Sequence, residues 1–97
     1  MPRVLAVSHT FEELVAKRRA ADAAHAQVEE LREAYGPPAE ARLTATQADT
    51  YETAVRAWRD LARDLQTALS EHARDEGRSL TEIEDEVQRA VAEAESN

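Results

Sequence analysis

The chain has 97 residues and a formal charge of −8 at pH 7, from 12 Lys and Arg against 20 Asp and Glu. Twenty residues are alanine, which leaves 21 larger apolar side chains to build a core, and only four residues are aromatic (Phe11, Tyr35, Tyr51, Trp58). The absence of cysteine excludes a disulfide framework, thiolate metal sites and a cysteine nucleophile. Val4 to Val7, the longest strongly apolar run, is far below the ~20 residues that span a bilayer, so no membrane association is expected. No basic segment followed by a long apolar stretch marks a secretory signal, and a soluble cytoplasmic protein is the expectation. Eleven of the twelve basic residues are arginine, which together with the alanine load reads as the coding habit of a GC-rich bacterium.

Few helix breakers interrupt the chain. Gly36-Pro37-Pro38 and Gly77 divide it into three segments rich in Ala, Glu, Arg and Leu, all strong helix formers. An N-terminal arm over 1–9 precedes the first helix, expected over 10–35. That helix opens on a Thr10/Glu13 capping box, in which each side chain satisfies an amide of the first turn. Its apolar positions at Phe11, Leu14, Val15, Ala21, Ala24, Val28, Leu31 and Tyr35 follow a period near 3.6. The second helix, expected over 44–76, starts on Thr44/Gln47, with Thr46/Asp49 as an alternative start. Its seam alternates steps of three and four through Ala48, Tyr51, Val55, Trp58, Ala62, Leu65, Leu69 and His72. Gly77 closes it, and Ser79/Glu82 opens a third helix over 79–96 with an apolar face of Leu80, Ile83, Val87 and Val91. Residues 75–97 carry two basic and eight acidic groups, and hold most of the net charge.

The expected fold is therefore all-α: a long antiparallel helical hairpin with a shorter third helix packed back along the second, a single-domain three-helix bundle with coiled-coil-like packing and a tendency to dimerise. The first helix is too short and too alanine-rich to cover the ~46 Å of the second.

Candidate chemistry is sparse. Asp22 and His25 match the i, i+3 spacing of di-iron bundles, but such sites need that motif twice and further carboxylates. The four serines lack a Gly-x-Ser-x-Gly elbow, and two glycines cannot build a phosphate-binding loop. No catalytic residue, metal ligand or cofactor is expected. Trp58 falls in the middle of the long seam, and tryptophan is enriched at interface hot spots. The expected function is a non-enzymatic interaction or accessory protein. It would self-associate, most simply as a dimer, or dock on a protein partner through Tyr51, Val55, Trp58, Leu61, Leu65 and Leu69.

Two alternatives belong to other classes. Leu69, Ala73, Gly77, Ser79, Thr81, Glu82 and Ile83 resemble the helix–turn–helix portion of ribbon-helix-helix DNA-binding proteins over roughly twenty residues. That resemblance implies a small DNA-associated regulator using a unit at 65–91. The acidity of the C-terminal third implies an acidic inhibitor or nucleic-acid mimic. Arg56, Arg59 and Arg63 alternate with Asp60 and Asp64, so their local field nearly cancels. A nucleic-acid partner is disfavoured on a chain of pI ≈ 4.8.

Overall fold

The computed structural model describes residues 9–36 and 43–96, and these form three helices with no strand among the described residues. They are α1 (Phe11–Tyr35), α2 (Ala45–Glu76) and α3 (Leu80–Glu95). The fold is an all-α three-helix bundle. The expected N-terminal arm, apart from His9, and most of the loop between α1 and α2 lie outside the described residues.

Each helix begins where its hydroxyl side chain can cap it. Thr10 Oγ1 accepts from the Glu13 amide at 3.1 Å while the Thr10 amide donates to Glu13 Oε1 at 2.8 Å. The Thr10 amide and hydroxyl hold the Glu13 carboxyl below its ordinary range. Thr44 with Gln47 and Ser79 with Glu82 repeat the reciprocal pair at 3.0 to 3.2 Å. At the far end of α2, Gly77 adopts a left-handed conformation at φ 65°. Its amide donates to the Arg74 carbonyl at 3.2 Å, and the next amide, of Arg78, donates to the Ala73 carbonyl at 2.9 Å. This is the Schellman pattern, which satisfies carbonyls that the helix itself leaves unpaired.

No atom stands within 4 Å of a Cβ built on Gly77. The cost of Gly77→Ala is therefore backbone strain alone, about 1–2 kcal/mol for a left-handed residue with a side chain. Urea unfolding followed by circular dichroism should show that loss with an unchanged m-value, and Gly77→Asn should lose less because asparagine tolerates this conformation.

Two contacts show how α1 lies on α2. The His25 and Trp58 rings stack with centroids 4.6 Å apart, and Arg32 Nη2 donates to the Tyr51 hydroxyl at 3.4 Å. His25 and Arg32 are seven residues apart along α1, and Trp58 and Tyr51 are seven apart in the opposite sense along α2. The helices therefore run antiparallel in heptad register, and the same offset sets Val28 level with Val55 and Leu14 level with Leu69.

The core occupies one end of this hairpin. Leu14 and Ala21 of α1, Leu65, Ala68, Leu69 and Ala73 of α2, and Ile83, Val87 and Val91 of α3 form one buried cluster. Phe11, Val15, Leu61 and Leu80 pack around it. The third helix lies against both partners, more extensively against α1 than against α2. The expected three-helix bundle is thus present, and the apolar face of α3, expected back along the second helix, drops into the groove between the two.

Charge and polar contacts close this end. Arg78 donates to both carboxylate oxygens of Glu86, one at 3.1 Å, and holds that carboxyl below its ordinary range. His72 is buried, with Nδ1 donating to the His9 carbonyl at 2.8 Å, and His9 Nε2 lies 2.8 Å from Glu71 Oε1. His72, the last position of the α2 seam, is thus an interior residue with a backbone partner. The residue just before the α1 cap is thereby tied to α2.

Candidate surface on the uncovered half of the hairpin

Beyond the core the bundle becomes two helices. No residue of α2 from 45 to 64 is buried, and on α1 only Val28 is buried after Ala21. A helix of 16 residues reaches about 24 Å, whereas the 32 residues of α2 extend about 48 Å, so α3 covers only about half of that length. This length mismatch creates the candidate site.

The structure divides the six residues of the expected interface. Leu65 and Leu69 are buried, at 9% and 3% exposure, and belong to the core. Leu61 sits at the edge of that core. Tyr51, Val55 and Trp58 remain half-buried along the two-helix stretch. Trp58 is packed on one ring face by His25, whose Nε2 in turn lies 3.6 Å from Glu29 Oε2. Tyr51 accepts from Arg32, and this hydrogen bond, with the Glu29 carboxylate at 3.0 Å, holds the Arg32 guanidinium still more firmly protonated.

Two shallow grooves flank this stretch. One, of about 400 Å³, is lined by Tyr51, Glu52, Val55, Arg56, Arg59, Asp60 and Arg63. The other, of about 410 Å³, runs between the helices past Gln27, Leu31, Asp49, Thr50, Thr53, Ala54 and Ala57. Nearer the core, Lys17 Nζ is 2.6 Å from Asp64 Oδ2, an ion pair bridging α1 and α2.

The residues that sequence reasoning did not attach to the site are His25, Arg32 and Leu31. The signal was present in part, since His25 and Arg32 repeat on α1 the seven-residue spacing of Tyr51 and Trp58. Reading it requires the register between the helices, which one strand of sequence does not carry.

Among the described residues no group of three or more His, Asp or Glu side chains is placed to hold a metal ion. Asp22 is engaged by Arg18 at 3.1 Å, and His25 by Trp58. No helix is long and apolar enough to cross a membrane among those residues. At the position of the ribbon strand in the ribbon-helix-helix resemblance, Arg63 to Gln66 are interior turns of α2. Compared with family models, curated proteins and solved structures, the chain matches none of them.

Proposed function

We propose that the protein is a non-enzymatic interaction module that docks on a protein partner, or on a second copy of itself, through the uncovered half of the α1–α2 hairpin. One observation carries this reading: the regular apolar seam of α2 continues through Trp58, Val55 and Tyr51 after the core and the third helix have ended. An apolar seam of this kind gains free energy on burial, at roughly 25 cal/mol per Å² of apolar surface removed from water. Aromatic and arginine side chains gathered at one place are also the residue types that dominate interface energetics.

Trp58 is the single tryptophan, so its fluorescence reports the site without a label. Trp58→Ala should keep the helical circular dichroism spectrum, because the ring stands outside the buried cluster. Its association, measured by sedimentation of the pure protein and by capture of partners from the native cell beside the unsubstituted chain, should weaken at least tenfold. Identical sedimentation and identical captured proteins for the two chains would refute an interface at this half of the hairpin.

A further inference from the structure

The groove along α2 has a floor and a fence of different chemistry. Tyr51 and Val55 supply apolar surface, and Arg56, Arg59 and Arg63 rise beside it at helical spacings of three and four, with Glu52 and Asp60 on the same wall. Arg63 leans on Asp60 at 3.6 Å. Arg56 and Arg59, like Arg19 and Arg74, hold no ion pair among the described residues, whereas Lys17, Arg18, Arg32 and Arg78 each have a carboxylate at hand. In a chain of charge −8, this groove on the uncovered half carries three guanidinium groups against two carboxylates, a local positive excess.

Such a groove is complementary to a helix bearing carboxylates. The chain contains one. Within 75–97, α3 carries Glu82, Glu84, Asp85, Glu86, Glu93 and Glu95 against Arg89; Glu86 is taken by Arg78, and the exposed Asp85, with Arg89 one turn on, and the partly exposed Glu84 point away from the buried Ile83, Val87 and Val91. A copy's own α3 is not available to its own groove, because that buried face holds it beside Leu14, Leu65 and Leu69 at the other end of α2. Lengths agree as well: the groove from Tyr51 to Arg63 extends about 20 Å and α3 about 24 Å.

We propose that the Tyr51–Arg63 groove binds the acidic outer face of α3 from a second copy of this chain. The inference rests on the proposed function and specifies both its occupant and its geometry. A two-fold axis beside α2, between the groove and the stretch that α3 covers, exchanges the two. Each copy's three-helix end then lies over the two-helix end of the other. The arrangement is isologous and closed, so it stops at a dimer.

The test is charge reversal on both sides, read by sedimentation velocity on the full chain. The unsubstituted protein should sediment as a dimer, twice the 10.8 kDa chain mass. Arg56→Glu/Arg59→Glu and Glu84→Arg/Asp85→Arg should each lower the association constant at least tenfold, and an equimolar mixture of the two should recover a heterodimer. All four positions are at the surface, and circular dichroism establishes that each variant keeps its helices. Should the first variant unfold, Arg56→Gln/Arg59→Gln serves in its place, with loss of the dimer expected. A protein that remains monomeric at high micromolar concentration overturns the proposal, as does a mixture that stays monomeric. A dimer that Trp58→Ala weakens but both charge reversals leave intact also overturns it, while leaving the interaction reading in place. A monomer whose captured partner depends on Trp58 separates the two in the same way.

Discussion

Ending the chain at Gly77 is expected to lower the melting temperature by at least ~20 °C or to abolish cooperative unfolding. The removed helix buries Ile83, Val87 and Val91 at 0%, 1% and 6% exposure, and packs Leu80 at the edge of the core. Full burial of one such side chain is worth about 1.5–3 kcal/mol, and the whole domain is stable by only about 5–15 kcal/mol. Its removal also opens Leu14, Leu65 and Leu69 to water, so the loss falls on both sides of the contact. Each kcal/mol moves the midpoint by about 4–8 °C in a domain of this size. Repulsion among the carboxylates of α3 is the opposing effect, and it is smaller, since exposed charge pairs are worth about 0–1 kcal/mol each. Burial therefore decides the balance at neutral pH. Thermal circular dichroism of the intact and shortened chains makes the measurement. A midpoint within a few degrees of the intact value would mean that α1 and α2 hold their core without the third helix.

The helix ends were legible to within a residue because their determinants are local. A Thr or Ser followed three residues later by Glu or Gln fixes a start through two hydrogen bonds that need no tertiary partner. Gly77 likewise fixes a stop by accepting a backbone angle that other residues resist. Which faces are apolar was legible too, from spacing alone. The placement of α3 was not: the apolar face of a 16-residue helix says that it must be buried, but not whether one helix or a groove between two will bury it. His72 shows the same limit. Its seam position is readable in sequence, whereas its hydrogen bond to the His9 carbonyl joins residues 63 apart, and that partner makes the buried imidazole tolerable.

The six-residue interface illustrates the limit at the site. Tyr51, Val55, Trp58, Leu61, Leu65 and Leu69 form one uninterrupted seam in sequence, and periodicity treats them alike. The structure separates them by what lies opposite: α3 with Leu65 and Leu69, and His25, Arg32 and solvent with Trp58 and Tyr51. The distinction depends on the length of α3 and on the heptad register, neither of which is a property of α2. Arg56, Arg59 and Arg63 show the converse. In sequence their alternation with acids suggests a neutral face, yet only Arg63 has an acid within ion-pair distance among the described residues.

The same division predicts a sharp contrast between two truncations at corresponding heptad layers. Leu14→Ala removes a side chain at 0% exposure from the centre of the three-helix end and should cost about 2–5 kcal/mol, the range for a leucine deletion that leaves a partly collapsed cavity. Val55→Ala removes one that is already half wet and faces only α1, and should cost less than about 1 kcal/mol. Urea titrations should therefore show a large fall in midpoint for the first variant and a small one for the second, with similar m-values if the unfolded states are alike. Association should respond in the opposite order. Leu14 touches no proposed interface, so its variant should still associate under conditions where it is folded, while Val55→Ala should weaken association without loosening the fold. Equal destabilisation by the two substitutions would show that the outer half of the hairpin carries as much of the stability as the core. The seam around Trp58 would then be packing that holds this chain together, not surface kept for a second one.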